Sequence, residues 1–201
     1  KIFSIVLFFF ISASLVSKDI VPTEDNVSIK FRRDGRQVWA NGFWLCLWLM
    51  IWFISGQQVF LIASVASIAT ATADTWATEL GSKTKSNTFL VTNFDRVSAG
   101  TDGGISFKGS IAALFGSAII AAIFRLTVND TSLVVFIIIA FTGFLGCFID
   151  SYLGAKLQGS SLKIPFLSNN ESGTITVNNN IVNWLSTGSA SMLVLLITLI
   201  I

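Results

Sequence analysis

The chain contains no histidine. Histidine-based general acid or base catalysis, histidine metal ligation and any Ser-His-Asp triad are therefore excluded. Charge is scarce too: 12% of the 201 residues are charged, against about 25% in an ordinary soluble domain. Proline occurs twice, at Pro22 and Pro165, so apolar helices should run unbroken, unlike the interrupted helices of many transporters. The two cysteines, Cys46 and Cys147, lie far apart in apolar runs. They suggest neither a disulfide framework nor a zinc motif, and they read as small hydrophobic packing residues. A net charge of +2 gives no reason to expect a nucleic-acid partner.

What the chain has in abundance is apolar surface, with 53% hydrophobic residues and a mean hydropathy of +0.75. A helix needs about 17 to 25 mostly apolar residues to cross a bilayer. Six runs approach that length: 2–17, 39–55, 58–80, 109–126, 132–155 and 180–201. The expected fold is an all-α membrane protein, one integral-membrane domain over 1–201 built as a bundle of about six transmembrane helices. The first run, with Lys1 before it and Ser12-Ala13-Ser14 after its apolar stretch, also resembles a signal peptide. It is read here as a span, and the missing initial Met as a sign of a longer protein.

Lysine and arginine divide unevenly between the connections. Lys18, Lys30, Arg32, Arg33 and Arg36 precede the second run, Lys83, Lys85, Arg96 and Lys108 follow the third, and Lys156 and Lys163 follow the fifth. In a six-span topology these share one face, with Lys1 and Arg125 opposite. The positive-inside tendency makes that face cytoplasmic. The opposite connections, 55–58 and 127–131, are too short to build a site. Any chemistry therefore belongs on the cytoplasmic side.

Carboxylates in apolar helices are costly and mark candidate sites. Asp74 lies near the cytoplasmic end of the third run, sharing a face with Thr70 and Thr78. Asp150 lies near the same end of the fifth, on a face with Gly143, Gly146 and Gly154. Their similar depth lets them hold one divalent cation, since Mg²⁺ takes one or two carboxylates and completes its shell with water and substrate phosphate. Pairing with arginine or helix capping is the alternative. Glu79 sits closer to water.

The connection Gly100-Thr101-Asp102-Gly103-Gly104-Ile105-Ser106-Phe107-Lys108 runs into a helix start. Glycines let backbone N–H groups face an anion, and the helix start and Lys108 add positive potential. The loop is a candidate phosphate cradle or a plain turn, and it is not a Walker sequence. Arg33 and Arg36, with Gln37 and Asn41 after them, suit either phosphate binding or lipid headgroups and topology. Asn180 and Asn183 begin the sixth run, where they orient a ligand or bond between helices. Trp44, Trp48 and Trp52 form a stripe along the second run, either for packing or as one wall of a hydrocarbon groove.

The strings 33–42 (RDGRQVWANG), 73–81 (ADTWATELG), 100–106 (GTDGGIS), 150–155 (DSYLGA) and 180–183 (NIVN) resemble, in order and spacing, an integral-membrane family. It is the one catalogued as domain of unknown function 92, which includes transmembrane protein 19 and plant phytyl-phosphate kinase. The resemblance implies transfer of a phosphoryl group from a nucleoside triphosphate, CTP or ATP, to a polyprenyl or phytyl monophosphate. On that reading Asp74 and Asp150 hold Mg²⁺ with Glu79 assisting. Gly100, Thr101, Asp102, Gly103, Gly104, Ser106 and Lys108 cradle the nucleotide. Arg33, Arg36, Gln37 and Asn41 hold the lipid phosphate, and Asn180 and Asn183 orient ligand or metal waters. Phosphoryl transfer depends on positioning and charge neutralisation more than on covalent chemistry, which suits a site without histidine. The competing readings are a cytidylyltransferase making a CDP-linked lipid, and a transporter or scaffold without catalysis. Chain length of the lipid, organelle and oligomeric state are not legible.

Overall fold

The computed structural model describes residues 2–16, 35–82, 87–129, 131–163 and 174–200. Arg33, Lys83 and Lys85 lie outside them. The elements run α1 (Ile2–Val16), α2 (Gly35–Ser55), α3 (Gln58–Ser82), β1 (Thr88–Leu90), β2 (Arg96–Val97), β3 (Gly104–Ser106), α4 (Phe107–Thr127), α5 (Leu133–Leu157), β4 (Ser161–Lys163), β5 (Thr174–Thr176) and α6 (Asn179–Ile200).

Five helices, α2 to α6, are long and apolar enough to cross a membrane among the described residues. Of the six expected runs, the first is described over 15 residues as α1, a shorter apolar helix that rises about 22 Å. Ile5, Phe9 and Ala13 of α1, one turn apart, are buried in the same cluster as Val65 and Ile68 of α3 and Phe124 of α4.

The bundle is organised around α3, which packs against every other helix. Its composition explains the position. Ala63, Ala66, Ala69 and Ala73 leave room for close neighbours, and Ser64, Ser67, Thr70 and Thr72 are fully buried beside them. Those hydroxyls do not burden the bilayer, because each donates to a carbonyl of its own helix: Ser64 to Leu61 at 2.7 Å, Ser67 to Ser64 at 2.7 Å, Thr70 to Ala66 at 3.0 Å and Thr72 to Ile68 at 2.8 Å. Neighbouring helices answer with glycine. A Cβ on Gly146 of α5 would lie 2.5 Å from the Thr70 side chain, and one on Gly116 of α4 would lie 3.2 Å from the Thr72 carbonyl oxygen. Small residues at crossings replace the hydrophobic driving force that lipid cannot supply.

The expected all-α architecture holds for the bundle, and short strands occur only in its connections. Two small antiparallel sheets lie between the helices, one ordered β2-β1-β3 and the other pairing β4 with β5. Thr88 sits opposite both Val97 and Ser106. Strands of two or three residues carry no alternation that a sequence pattern can register. The first sheet returns the chain from α3 to α4, and Ser106 then caps α4 by accepting from the Gly109 N–H at 3.1 Å. The ends of α3 and α5 and the starts of α4 and α6 are thereby brought together beneath this sheet.

The tryptophan stripe of α2 is packing. Trp44 stacks on Trp48 with ring centroids 5.9 Å apart, and Trp48 on Phe60 of α3 at 5.8 Å. The Trp44 indole N–H donates to the Trp184 carbonyl of α6 at 2.8 Å. Gly188 makes this approach possible, since a Cβ there would lie 2.5 Å from Trp44 Nε1.

Candidate functional site

The two intramembrane aspartates meet. Asp74 of α3 and Asp150 of α5 are within hydrogen-bond contact of one another. Two carboxyl groups this close repel when both are ionised, so the arrangement calls for positive charge between them, a proton or a cation. The Ser186 hydroxyl donates to Asp150 Oδ1 at 2.8 Å. The Asn183 amide, with its nitrogen oriented as its neighbours require, donates to the same oxygen at 3.1 Å and to the Asn179 carbonyl at 3.2 Å. Asn179, Asn183 and Ser186 follow one another at i, i+4 and i+7, a single face of α6 turned to α5. Ser186 is a site residue that the sequence analysis does not single out, and its spacing from Asn183 is the signal that points to it.

These carboxyl groups form the floor of an open polar cavity of about 150 Å³. Thr78 of α3, Ser151 of α5 and Asn179 of α6 line its sides, and the loop from Gly100 to Ser106 forms its roof. Cys147 also lines it while packing with Ala73 and Ala113, consistent with its reading as a packing residue.

The loop consists of two successive tight turns. The Thr101 N–H donates to the Ser98 carbonyl at 3.2 Å, and the Gly104 N–H to the Thr101 carbonyl at 2.9 Å. Gly100 (φ +87°) and Gly103 (φ +77°) occupy the third position of each, where a type II turn needs the left-handed conformation. Gly103 is also wedged against α5: a Cβ there would lie 2.3 Å from Ala155 Cβ and 2.7 Å from the Ser151 carbonyl oxygen. The roof is therefore seated on the helix that carries Asp150.

Not every candidate residue reaches the cavity. Gly100, Thr101, Asp102, Gly103, Gly104 and Ser106 line it, but Lys108 is exposed on the first turn of α4 and Glu79 sits on another face of α3. The Ser106 oxygen is already the α4 cap. In the same connection Asn93 and Asp95 bond to each other and Arg96 donates to Asn87, and none of these lines the cavity. Asn180 parts from Asn183. It lines a second groove of about 300 Å³ between α2 and α6, together with Arg36, Trp39, Phe43, Ile181 and Trp184. Gln37 and Asn41 line neither space, and Asn41 is buried within the bundle.

Among the described residues no group of three or more His, Cys, Asp or Glu side chains comes together. The donors at Asp74 and Asp150, with the Thr78 and Ser151 hydroxyls nearby, are all oxygen. Such a set fits Mg²⁺, which takes few protein carboxylates and relies on substrate oxygens for the rest.

An oxygen-lined cavity at one end of a helical bundle defines a multi-pass membrane protein with a polar site at the helix ends. The chain belongs to the integral membrane protein family DUF92, whose model matches residues 1–191. An uncharacterized membrane protein of Methanocaldococcus jannaschii is 33% identical over 161 residues, covering 79% of this chain and 66% of that protein. Protein PGR of Arabidopsis thaliana is 26% identical over 185 residues, covering 78% of this chain and 64% of its own length. Protein VTE6, chloroplastic, of the same plant is 27% identical over 157 residues, covering 76% and 43%. The chain thus spans less than two thirds of the length of each of these relatives. No solved structure matches it.

Proposed function

We propose that the protein transfers a phosphoryl group from a nucleoside triphosphate, CTP or ATP, to a polyprenyl or phytyl monophosphate, on the cytoplasmic side of the membrane. The observation that carries this reading is the Asp74–Asp150 contact on the floor of a polar cavity, beneath a glycine loop. The motif resemblance to a family that includes plant phytyl-phosphate kinase supplies the acceptor class, and the distribution of lysine and arginine supplies the sidedness.

Asp74 and Asp150 would hold Mg²⁺, which when bound neutralises charge on the nucleotide phosphates. Ser186 and Asn183 fix the Asp150 carboxylate through Oδ1. The Gly100–Gly104 backbone lies over the phosphates, with glycine allowing close approach. The anionic side chain of Asp102 suits ribose hydroxyls rather than phosphate.

The reaction needs no general base. A phosphomonoester has its second pKa near ~6, so the acceptor reaches the site already as a nucleophile. One of its oxygens forms a bond to the γ-phosphorus as the bond to the β,γ-bridging oxygen breaks, and the nucleoside diphosphate leaves with that electron pair. A site without histidine loses nothing in this chemistry.

The test is turnover by the full chain in liposomes, with labelled CTP or ATP, Mg²⁺ and a panel of phytyl, farnesyl, geranylgeranyl and dolichyl monophosphates. A lipid diphosphate with equimolar nucleoside diphosphate is expected. Pyrophosphate with a CDP-linked lipid would make the protein a cytidylyltransferase, and no nucleotide turnover by folded protein would leave a transporter or scaffold.

A further inference from the structure

The groove between α2 and α6 is separate from the aspartate cavity, and its walls follow a polarity order. On α2, Arg36, Trp39 and Phe43 fall at i, i+3 and i+7, one face that runs about 10 Å from the helix start into the span. On α6, Asn180 is followed by Ile181 and Trp184. Both walls therefore begin with a cation or an amide at the helix start and continue as aromatic and aliphatic surface toward the bilayer. Among the described residues the lining holds one cation, Arg36, and no acid.

The walls are built rather than incidental. The Trp44 N–H bond to the Trp184 carbonyl, at 2.8 Å, ties α2 to α6. Phe43 and Trp44 both lie against Trp184, with ring centroids 5.8 Å and 5.1 Å away. Trp39 and Trp184 nevertheless keep 67% and 37% of their surfaces exposed. A gradient from guanidinium to indole along a helix that crosses the membrane matches an amphiphile with an anionic head and a long hydrocarbon chain.

The groove is also in register with the cavity. Asn179 lines the cavity that holds Asp74 and Asp150, while its successor Asn180 lines the groove. The groove and the cavity thus meet at adjacent residues of α6.

We infer that the α2–α6 groove is the docking site of the acceptor lipid. Arg36 and Asn180 hold its phosphomonoester head, and Trp39, Phe43 and Trp184 flank its chain. The identity of the lipid rests on the phosphotransfer reading above. The groove's fit to an anionic single-chain lipid does not.

The experiment is photolabelling of the full chain in nanodiscs with a geranylgeranyl monophosphate carrying a diazirine on its chain, followed by mass-spectrometric mapping. Label is expected on α2 and α6 peptides, and excess unlabelled geranylgeranyl monophosphate should displace it while the free alcohol and inorganic phosphate do not. Arg36→Gln should lower labelling about tenfold, the loss expected for one charge-assisted hydrogen bond, and Arg36→Lys should restore part of it. Trp184→Leu, which leaves the headgroup contacts intact, should shift the label along the chain or reduce it. Label mapped to other helices, equal displacement by inorganic phosphate or by the free alcohol, or labelling indifferent to Arg36→Gln in folded protein would each overturn the assignment. Specific groove labelling without phosphotransfer from any nucleotide would overturn the proposed reaction and leave the groove standing. Transfer with the label elsewhere would do the reverse.

Discussion

Ser186 and Asp150 meet across the α5–α6 interface, the hydroxyl of one donating to Oδ1 of the other at 2.8 Å. Ser186 lies beyond the cavity lining, so on the proposed phosphotransfer reading it would act through the orientation of a carboxylate. Ser186→Ala should lower kcat by about tenfold, the usual effect of one hydrogen bond to a charged group. The Mg²⁺ concentration for half-maximal rate should rise with it. Ser186→Thr, which keeps the hydroxyl, should recover most of both.

Removing either carboxylate should be far more severe. Asp74→Asn and Asp150→Asn each keep the volume and remove the charge, and each should reduce turnover by at least about a hundredfold, a loss of about 3 kcal/mol. Thermal melting in detergent should change little, because the repulsion between the two groups is relieved at the same time. EDTA should abolish activity and added Mg²⁺ restore it. Wild-type rates in both variants would remove the metal assignment.

Gly103 tests the seating of the loop. An alanine there must adopt φ near +77°, costing about 1 kcal/mol or more, and its Cβ would fall 2.3 Å from Ala155 Cβ. Gly103→Ala should lift the loop from α5, raise the KM for nucleotide and leave the melting temperature of the helical bundle close to wild type. Gly100, with no atom within 4 Å of a built Cβ, should tolerate alanine with a smaller effect.

Gly146 tests the bundle itself. Alanine at this position would press on Thr70 at 2.5 Å and on Ala190 at 2.9 Å, and overpacking of this kind costs about 1 to 3 kcal/mol. Gly146→Ala should lower the melting temperature by several degrees, whereas Gly42→Ala, at a position open to 4 Å, should not.

Much of this arrangement was legible in the sequence because the bilayer restricts what an apolar run can do. Lengths and boundaries of α2 to α6 came from runs that only helices can satisfy in lipid, and Asp74 and Asp150 stood out as charges in them. Their convergence followed from alternate spans ending on one face. Other features depended on angles finer than such patterns carry. Glu79 lies five residues after Asp74, which places it about 140° around α3 and away from the cavity. Asn180 and Asn183 are three residues apart, about 60° in the opposite sense, and α6 sits so that Asn180 lines the groove while Asn183 meets Asp150. The short sheets were invisible because strands of two or three residues carry no apolar alternation, and the first is fixed by turns and by its seating on α5. For Arg33 and for the lysines following α3, the reading lies outside the described residues.

The hydroxyls and small side chains that let α3 sit at the centre also govern how the protein is made. A segment with five buried hydroxyl residues and Asp74 near its end gains less from entering lipid than its neighbours do. Only Gly56 and Gln57 separate it from α2, whose tryptophan-rich and leucine-rich length partitions readily. Entry of α2 and α3 into the bilayer as a hairpin is therefore the expected order of assembly, with α3 depending on the helix before it.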